Sequence, residues 1–246
     1  MTVTPVGMRC PECARDRVRA TRPDLAGLGT AAAPATYVLI AINVVTFLAE
    51  LVSGGSAASI QGGGQLIADG GLNAPAVADG EWYRLVTAAF LHAGPLHVLL
   101  NMFALYILGS LLEPGIGTAR FIGVYVVSLL AGSLGALLVS PDTNTVGASG
   151  AVFGLMSAAF IMARRRGLEG LAAQIGFYVV LNLAFTFGVP GISIGGHLGG
   201  LAGGAVAALL IALGERHGRH GLLEGAGMIV VAAACFAGAL AVAAAS

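Results

Sequence analysis

The sequence has no lysine; all twelve basic residues are arginine. Charge of either sign is scarce, at 10% of residues, where soluble domains carry about 25%. That scarcity excludes an ordinary soluble fold. A formal net charge of zero leaves no basic excess for nucleic acid. No apolar core interrupts the first thirty residues, which are polar and arginine-bearing, so no cleavable signal peptide is expected and insertion falls to internal segments. Three cysteines are present. Cys235 stands alone in an apolar run and reads as a small packed hydrophobe. Cys10 and Cys13 make a Cys-Pro-Glu-Cys pair, half a zinc site, and no second pair follows to supply four ligands. A degenerate knuckle, a site shared between two chains and an unpaired remnant all fit that pair; no cofactor is expected. The missing lysine and the 38 glycines point to GC-biased coding and carry no chemistry.

What is abundant is apolar surface. The chain of 246 residues is 57% hydrophobic with a mean hydropathy of +0.89, which makes it an all-α polytopic membrane protein with one membrane domain. Spans are expected at 35–53, 95–112, 120–139, 149–163, 170–188, 192–213 and 226–244. The second ends at Glu113-Pro114-Gly115 and the fourth at Arg164-Arg165-Arg166. Residues 1–33 form a polar N-terminal segment, 34–213 hold six spans, and 214–246 hold a polar linker and a seventh. The connection 54–93 is long for so compact a protein and is expected to be functional. It is Gly/Ser-rich at first and then carries Glu81-Trp82-Tyr83-Arg84, with the aromatic pair suited to an interface. Its apolar stretch 85–91 is too short to span.

Arginine sets the expected orientation. With an N-terminus in the cytoplasm, the N-terminal segment and the loops near 114–120, 164–169 and 214–224 hold five, one, three and two arginines. Only Arg84 falls outside, which is the positive-inside pattern. Span four is then entered from the outer face.

Polar residues within apolar spans are expensive and mark function by default. His97 and Asn101 lie four apart on one face of span two, with His92 near its outer mouth. They read either as a packing bridge or as donors aimed at developing negative charge. Ser149 opens span four among small residues, Gly147-Ala148-Ser149-Gly150. Gly150 and Gly154 beside it make a membrane packing pattern, so Ser149 reads as packing filler or as a nucleophile at a helix N-terminus. His197 lies in span six, where Gly196, Gly200 and Gly204 form a stripe widened by Gly199 and Gly203. Spans four and six run parallel, and close approach along these glycines would bring the Ser149 hydroxyl within reach of the His197 imidazole at one depth. A serine beside a base is a usable nucleophile. No Asp or Glu lies near that depth in either span, so the arrangement reads as a dyad without a carboxylate, with the Ser149 amide, His97 and Asn101 as oxyanion donors.

The blocks Glu81-Trp82-Tyr83-Arg84, His92-x4-His97-x3-Asn101, Gly147-Ala148-Ser149-Gly150 and Gly196-His197-x-x-Gly200 together resemble the rhomboid family of intramembrane serine proteases, over about residues 36–213. The resemblance implies a six-helix core, with the seventh span as an extra C-terminal helix, Ser149 as nucleophile and His197 as base. It implies oxyanion roles for His97, Asn101 and the Ser149 backbone, an aromatic, Phe153, stacked on the histidine, and a structural acid, Glu113, tying down the first loop. Trp82, Arg84, His92, Gly150, Gly154, Gly196 and Gly200 fall in structural or gating positions. Substrates would be single-span proteins in the bilayer of the inner (plasma) membrane, with small or helix-breaking residues near the outer face. In some bacterial relatives a longer cysteine-rich zinc-binding segment comes first, and Cys10 and Cys13 resemble its last pair. The competing reading is an inactive relative that binds client helices; such relatives usually lack the serine or the histidine. A transporter would show matching halves or mid-span acids, and neither is evident.

Overall fold

A computed structural model of the chain describes residues 2–4, 7–9, 32–54, 64–216 and 221–246. Cys10 and Cys13 lie outside the described residues. Two units separate, Met1–Ala31 and Ala32–Ser246. In the first, strands β1 (Thr2–Thr4) and β2 (Gly7–Arg9) pair antiparallel with Val3 opposite Met8. That hairpin carries no periodic signal strong enough to read from so short a polar stretch.

The described residues of the second unit form helices and the turns that join them. Its long helices are α1 (Pro34–Val52), α5 (Pro95–Ile116), α6 (Thr118–Val139), α7 (Ser149–Arg165), α8 (Glu169–Gly188), α9 (Ile194–Arg216) and α10 (Leu222–Ala245). Between α1 and α5 lie the short helices α2 (Gln65–Gly70), α3 (Ala74–Ala78) and α4 (Arg84–Thr87), the last running into a 3₁₀ turn at Ala88–Phe90. Among the described residues, six helices are long and apolar enough to cross a bilayer, and the chain is a multi-pass membrane protein. The exception is α7, which has 17 residues. It lies inside the bundle, with an unbroken run from Ala151 to Ala159 buried, so its neighbours rather than lipid set its length. Helix α5 also overruns the break expected at Glu113-Pro114-Gly115. Pro114 sits in its last turn, and the chain turns only at Gly117, whose φ of +86° suits glycine.

Glycine draws the centre together. Helix α9 presents two stripes: Gly195 and Gly199 face the α6 backbone at Gly135 and Ala131, while Gly200 and Gly204 face the α7 backbone at Gly150 and Gly154. At each of these four positions a Cβ would sit well under 3.0 Å from a carbonyl oxygen of the neighbour. Helices approach this closely only where the facing residues are glycine or other small residues.

Charge fixes the end of the bundle away from Ser149. The Arg120 Nε donates to Glu224 at 2.6 Å, tying α6 to α10, and Arg166 donates to the Gly115 carbonyl at 2.9 Å. Glu113, expected to hold the first loop, is instead at this end. Its carboxylate accepts the Ala35 and Thr36 amides at 2.9 Å each, the Thr36 hydroxyl at 2.7 Å and the Thr118 hydroxyl at 2.8 Å. It therefore caps the N-terminus of α1, satisfying two amides that have no partner within the helix. Glu113→Ala is expected to lower unfolding stability by about 1–3 kcal/mol, since four donors lose their acceptor. Thermal unfolding in detergent checks this, and Glu113→Gln is expected to fall between.

Candidate active site

Over residues 64–94 the connection between α1 and α5 is a built structure rather than a tether. Arg84 is its pin: buried, its guanidinium donates to the Ala68 and Gly71 carbonyls at 2.7 Å each and pairs with Glu81. Asn144, between α6 and α7, reaches into the loop, donating to the Ile67 carbonyl at 3.1 Å, and Leu72 bridges to Thr145. Trp82 sits edge-on to Phe236 of α10 with ring centroids 6.2 Å apart, so the seventh helix touches the loop. The ladder ends at Gly147, whose amide donates to the Ala88 carbonyl at 2.8 Å. Gly147 has φ +122° and leads directly into Ser149, the first residue of α7.

Four elements converge there. His197, one turn into α9, lies with Nε2 2.8 Å from Ser149 Oγ. Gly150 and Gly200 set that approach, because the Gly200 position has no room for a side chain against Gly150. The Phe153 ring, one turn below Ser149, stacks on the imidazole at 4.0 Å and 17°, which fixes the plane of the ring. Gly196 contributes a carbonyl that closes on both Gly150 and Gly132. Ser149 therefore faces a histidine that has lost its rotational freedom.

His97 enters from α5. The Ala93 amide donates to its Nδ1 at 3.3 Å, so in the neutral ring the proton sits on Nε2. That nitrogen faces Gly147, where a Cβ would lie 2.6 Å from it. A donor is thus held over the turn that precedes Ser149. Asn101 is buried below and donates to the His97 carbonyl at 2.9 Å, within its own helix. His92 packs edge-on against His97 at 5.1 Å. Its own amide donates to Glu50 of α1 at 3.1 Å, which anchors the start of α5 to the end of α1. Burial pushes the His92 imidazole down to about 3, with the neighbouring His97 adding to the effect, so it stays neutral at any physiological pH.

The Ser149 amide is in the first turn of α7, where backbone N–H groups have no carbonyl a turn earlier. The site thus offers a hydroxyl, a nitrogen base 2.8 Å from it, and N–H groups from two directions. Such a set can form an ester with an acyl group and hold the oxyanion made on the way. A small cavity opens beside Ser149, lined by Ala88, Gly132, Ser133, Ala136 and Gly150 among others.

Three participants were not singled out in the sequence. Thr186 of α8 lies with Oγ1 2.7 Å from His197 Nδ1. Glu50 of α1 and Asn144, between α6 and α7, likewise stand outside the motifs read from the sequence. Thr186 had a signal: with Asn182 it forms a polar pair four apart in an apolar helix, the spacing that drew attention to His97 and Asn101.

Comparison with known proteins points to one family. A family profile described as "Rhomboid domain" matches residues 79–214, more than half of the chain. Rhomboid protease GluP of Bacillus subtilis is 35% identical over 181 residues, covering 72% of this chain and 35% of that protein. A second protein of that organism, YdcA, is 37% identical over 139 residues, 54% of this chain and 69% of its own. RHOMBOID-like protein 5 of Arabidopsis thaliana is 33% identical over 156 residues, 61% of this chain and 50% of that protein. The chain thus spans from about a third to about two thirds of the length of these relatives.

Proposed function

We propose that this chain, which belongs to the rhomboid family, is an intramembrane serine endopeptidase that cleaves membrane-protein segments through a Ser149–His197 dyad. The observation that carries the reading is the 2.8 Å approach of His197 Nε2 to Ser149 Oγ. The serine oxygen attacks the scissile carbonyl carbon as Nε2 takes its proton. The oxyanion is met by the Ser149 amide and the His97 Nε2–H, with Asn101 turning from its own helix toward the substrate. Nε2 then returns the proton to the leaving amine, and water releases the acyl group by the same steps. The small cavity beside Ser149 suits a small side chain at the cut. Substrates are single-span proteins that can unwind near the outer face of the plasma membrane. The N-terminus lies in the cytoplasm, a reading supported by the positive-inside pattern of the arginines along the sequence.

The test uses the purified chain in liposomes with a model single-span protein bearing an alanine and a helix-breaking residue near its outer boundary. Cleavage at the alanine, with a fluorophosphonate attached to Ser149, is the expected result. A folded protein that neither cuts nor takes the label would leave binding of client helices as the function.

A further inference from the structure

The hydroxyl of Thr186 has two neighbours. Its Oγ1 lies 2.8 Å from the Asn182 carbonyl oxygen, one turn back in α8, and 2.7 Å from His197 Nδ1. A carbonyl only accepts, so the one hydroxyl proton goes to Asn182. The Thr186 oxygen then has only lone pairs to offer His197, and Nδ1 must carry a hydrogen. In a neutral imidazole the other nitrogen, Nε2, is then bare, and Nε2 is the atom facing the Ser149 hydroxyl. The opposite tautomer would leave the hydroxyl proton shared between two acceptors and put a hydrogen on Nε2, where a base needs a lone pair.

We propose that Thr186 is the positioning residue of the dyad, the oxygen that holds His197 in the tautomer and orientation from which it accepts the serine's proton. The proposal rests on the protease reading for its catalytic consequence and on geometry alone for the tautomer. When the Ser149 proton moves to Nε2, the imidazolium keeps its Nδ1–H on the Thr186 oxygen, and the Thr186 proton stays on Asn182. One proton moves and none passes beyond His197. A neutral oxygen does here what a carboxylate does in a triad, orienting the ring and accepting from its second N–H. Its place in the fold fits the task. Thr186 is 2% exposed, flanked by Phe185 and Phe187 at 58% and 61%. It is the single buried residue in the half of α8 nearest His197, the others being Ala172 and Ile175. The turn through Pro190 and Gly191 folds α9 back against α8, so residues near the end of one helix and the start of the other share a depth. Self-satisfaction through the Asn182 carbonyl explains a threonine in a helix; it does not explain an inward hydroxyl seated on the base.

The test combines kinetics with the state of the ring. Thr186→Val keeps the shape and removes the acceptor. It is expected to lower kcat about 10- to 100-fold, the range for losing a hydrogen bond to a charged group, with KM nearly unchanged. Thr186→Ser is expected to recover activity to within a few-fold of the parent. Nitrogen-15 spectra of the histidine-labelled chain in bilayers, with His197 assigned through His197→Ala, are expected to place the neutral-ring proton on Nδ1. In Thr186→Val the two tautomers are expected to mix. A parent protein with the proton on Nε2 overturns the proposal whether or not the chain is a protease. So does a Thr186→Val variant of full kcat, or a loss that Thr186→Ser fails to recover. Should the valine variant not fold, the spectra of the parent and the serine variant decide. A chain with the proton on Nδ1 but no cleavage in either form would sink the protease reading and leave the tautomer assignment standing.

Discussion

Ser149→Ala and His197→Ala are each expected to abolish cleavage, with rates about 10⁴-fold or more below the parent. The double variant is expected to fall no further than either single one. The reason is that the two groups act as a unit. Without Oγ there is no acyl-enzyme, and His197 has nothing to deprotonate. Without the imidazole the hydroxyl keeps its proton and attacks at the rate of an ordinary alcohol. Losses at such paired groups do not add. Stability separates this from collapse of the fold. Removing the Ser149 hydroxyl takes one partner from His197 Nε2, so Ser149→Ala is expected to lower unfolding stability by about 1–3 kcal/mol at most. His197→Ala is expected to unfold earlier, because it empties the space against Phe153, where two rings stack at 4.0 Å. Site-resolved cleavage of the model substrate, scored with unfolding for each variant, checks all three. Substantial cleavage by Ser149→Ala would remove the dyad as the chemistry.

Much of this was legible because the lipid phase makes polar residues conspicuous. In a soluble protein Ser149, His97, Asn101 and His197 would be four among dozens of polar residues. In apolar spans each is costly enough to need a reason. The glycine stripe of α9 was legible for a related reason, since its four-residue spacing has no role except close approach; that it splits between α6 and α7 was not. Arginines on alternate loops set only an expected orientation, with the N-terminus inside. What was hidden depended on partners far away in sequence. Glu113 was read toward the loop, yet its partners Ala35 and Thr36 lie 78 and 77 residues earlier at the opposite end of the bundle. Thr186 gives only the weak signal of its pairing with Asn182, because a threonine can satisfy itself within a helix. The short helices α2 to α4 carry too few turns for a periodic pattern, and their fold is set by carbonyls that Arg84 gathers from elsewhere in the loop. Helix α7 broke the length rule because it is enclosed by protein, where span length is not fixed by lipid.

Gly200→Ala is expected to reduce cleavage about 100-fold or more while leaving every reacting group in place, a misplacement near 1 Å sufficing for such a loss. The added methyl would fall well under 3.0 Å from the Gly150 carbonyl oxygen, and it would also meet Gly150 C at 2.7 Å and Cα at 3.0 Å. These are backbone atoms in the first turn of α7, so no side chain can swing aside. Relief requires α7 and α9 to separate, and Ser149 and His197 ride one on each. Their 2.8 Å hydrogen bond lies a turn from the clash, where separation is felt nearly in full. Overpacking of this kind costs about 1–3 kcal/mol in stability, less than a well-folded bundle needs to stay intact. Labelling of Ser149 by the fluorophosphonate is therefore expected to fall in parallel with cleavage, in a protein that still unfolds cooperatively. Gly225→Ala in α10 is the control. A Cβ there meets nothing within 4 Å, and alanine is the better helix former, so activity is expected within about twofold of the parent. If Gly200→Ala cut at the parent rate, contact between α7 and α9 would not be what holds the dyad. The alignment of Ser149 with His197 would then have to come from Phe153 and Thr186 gripping the ring.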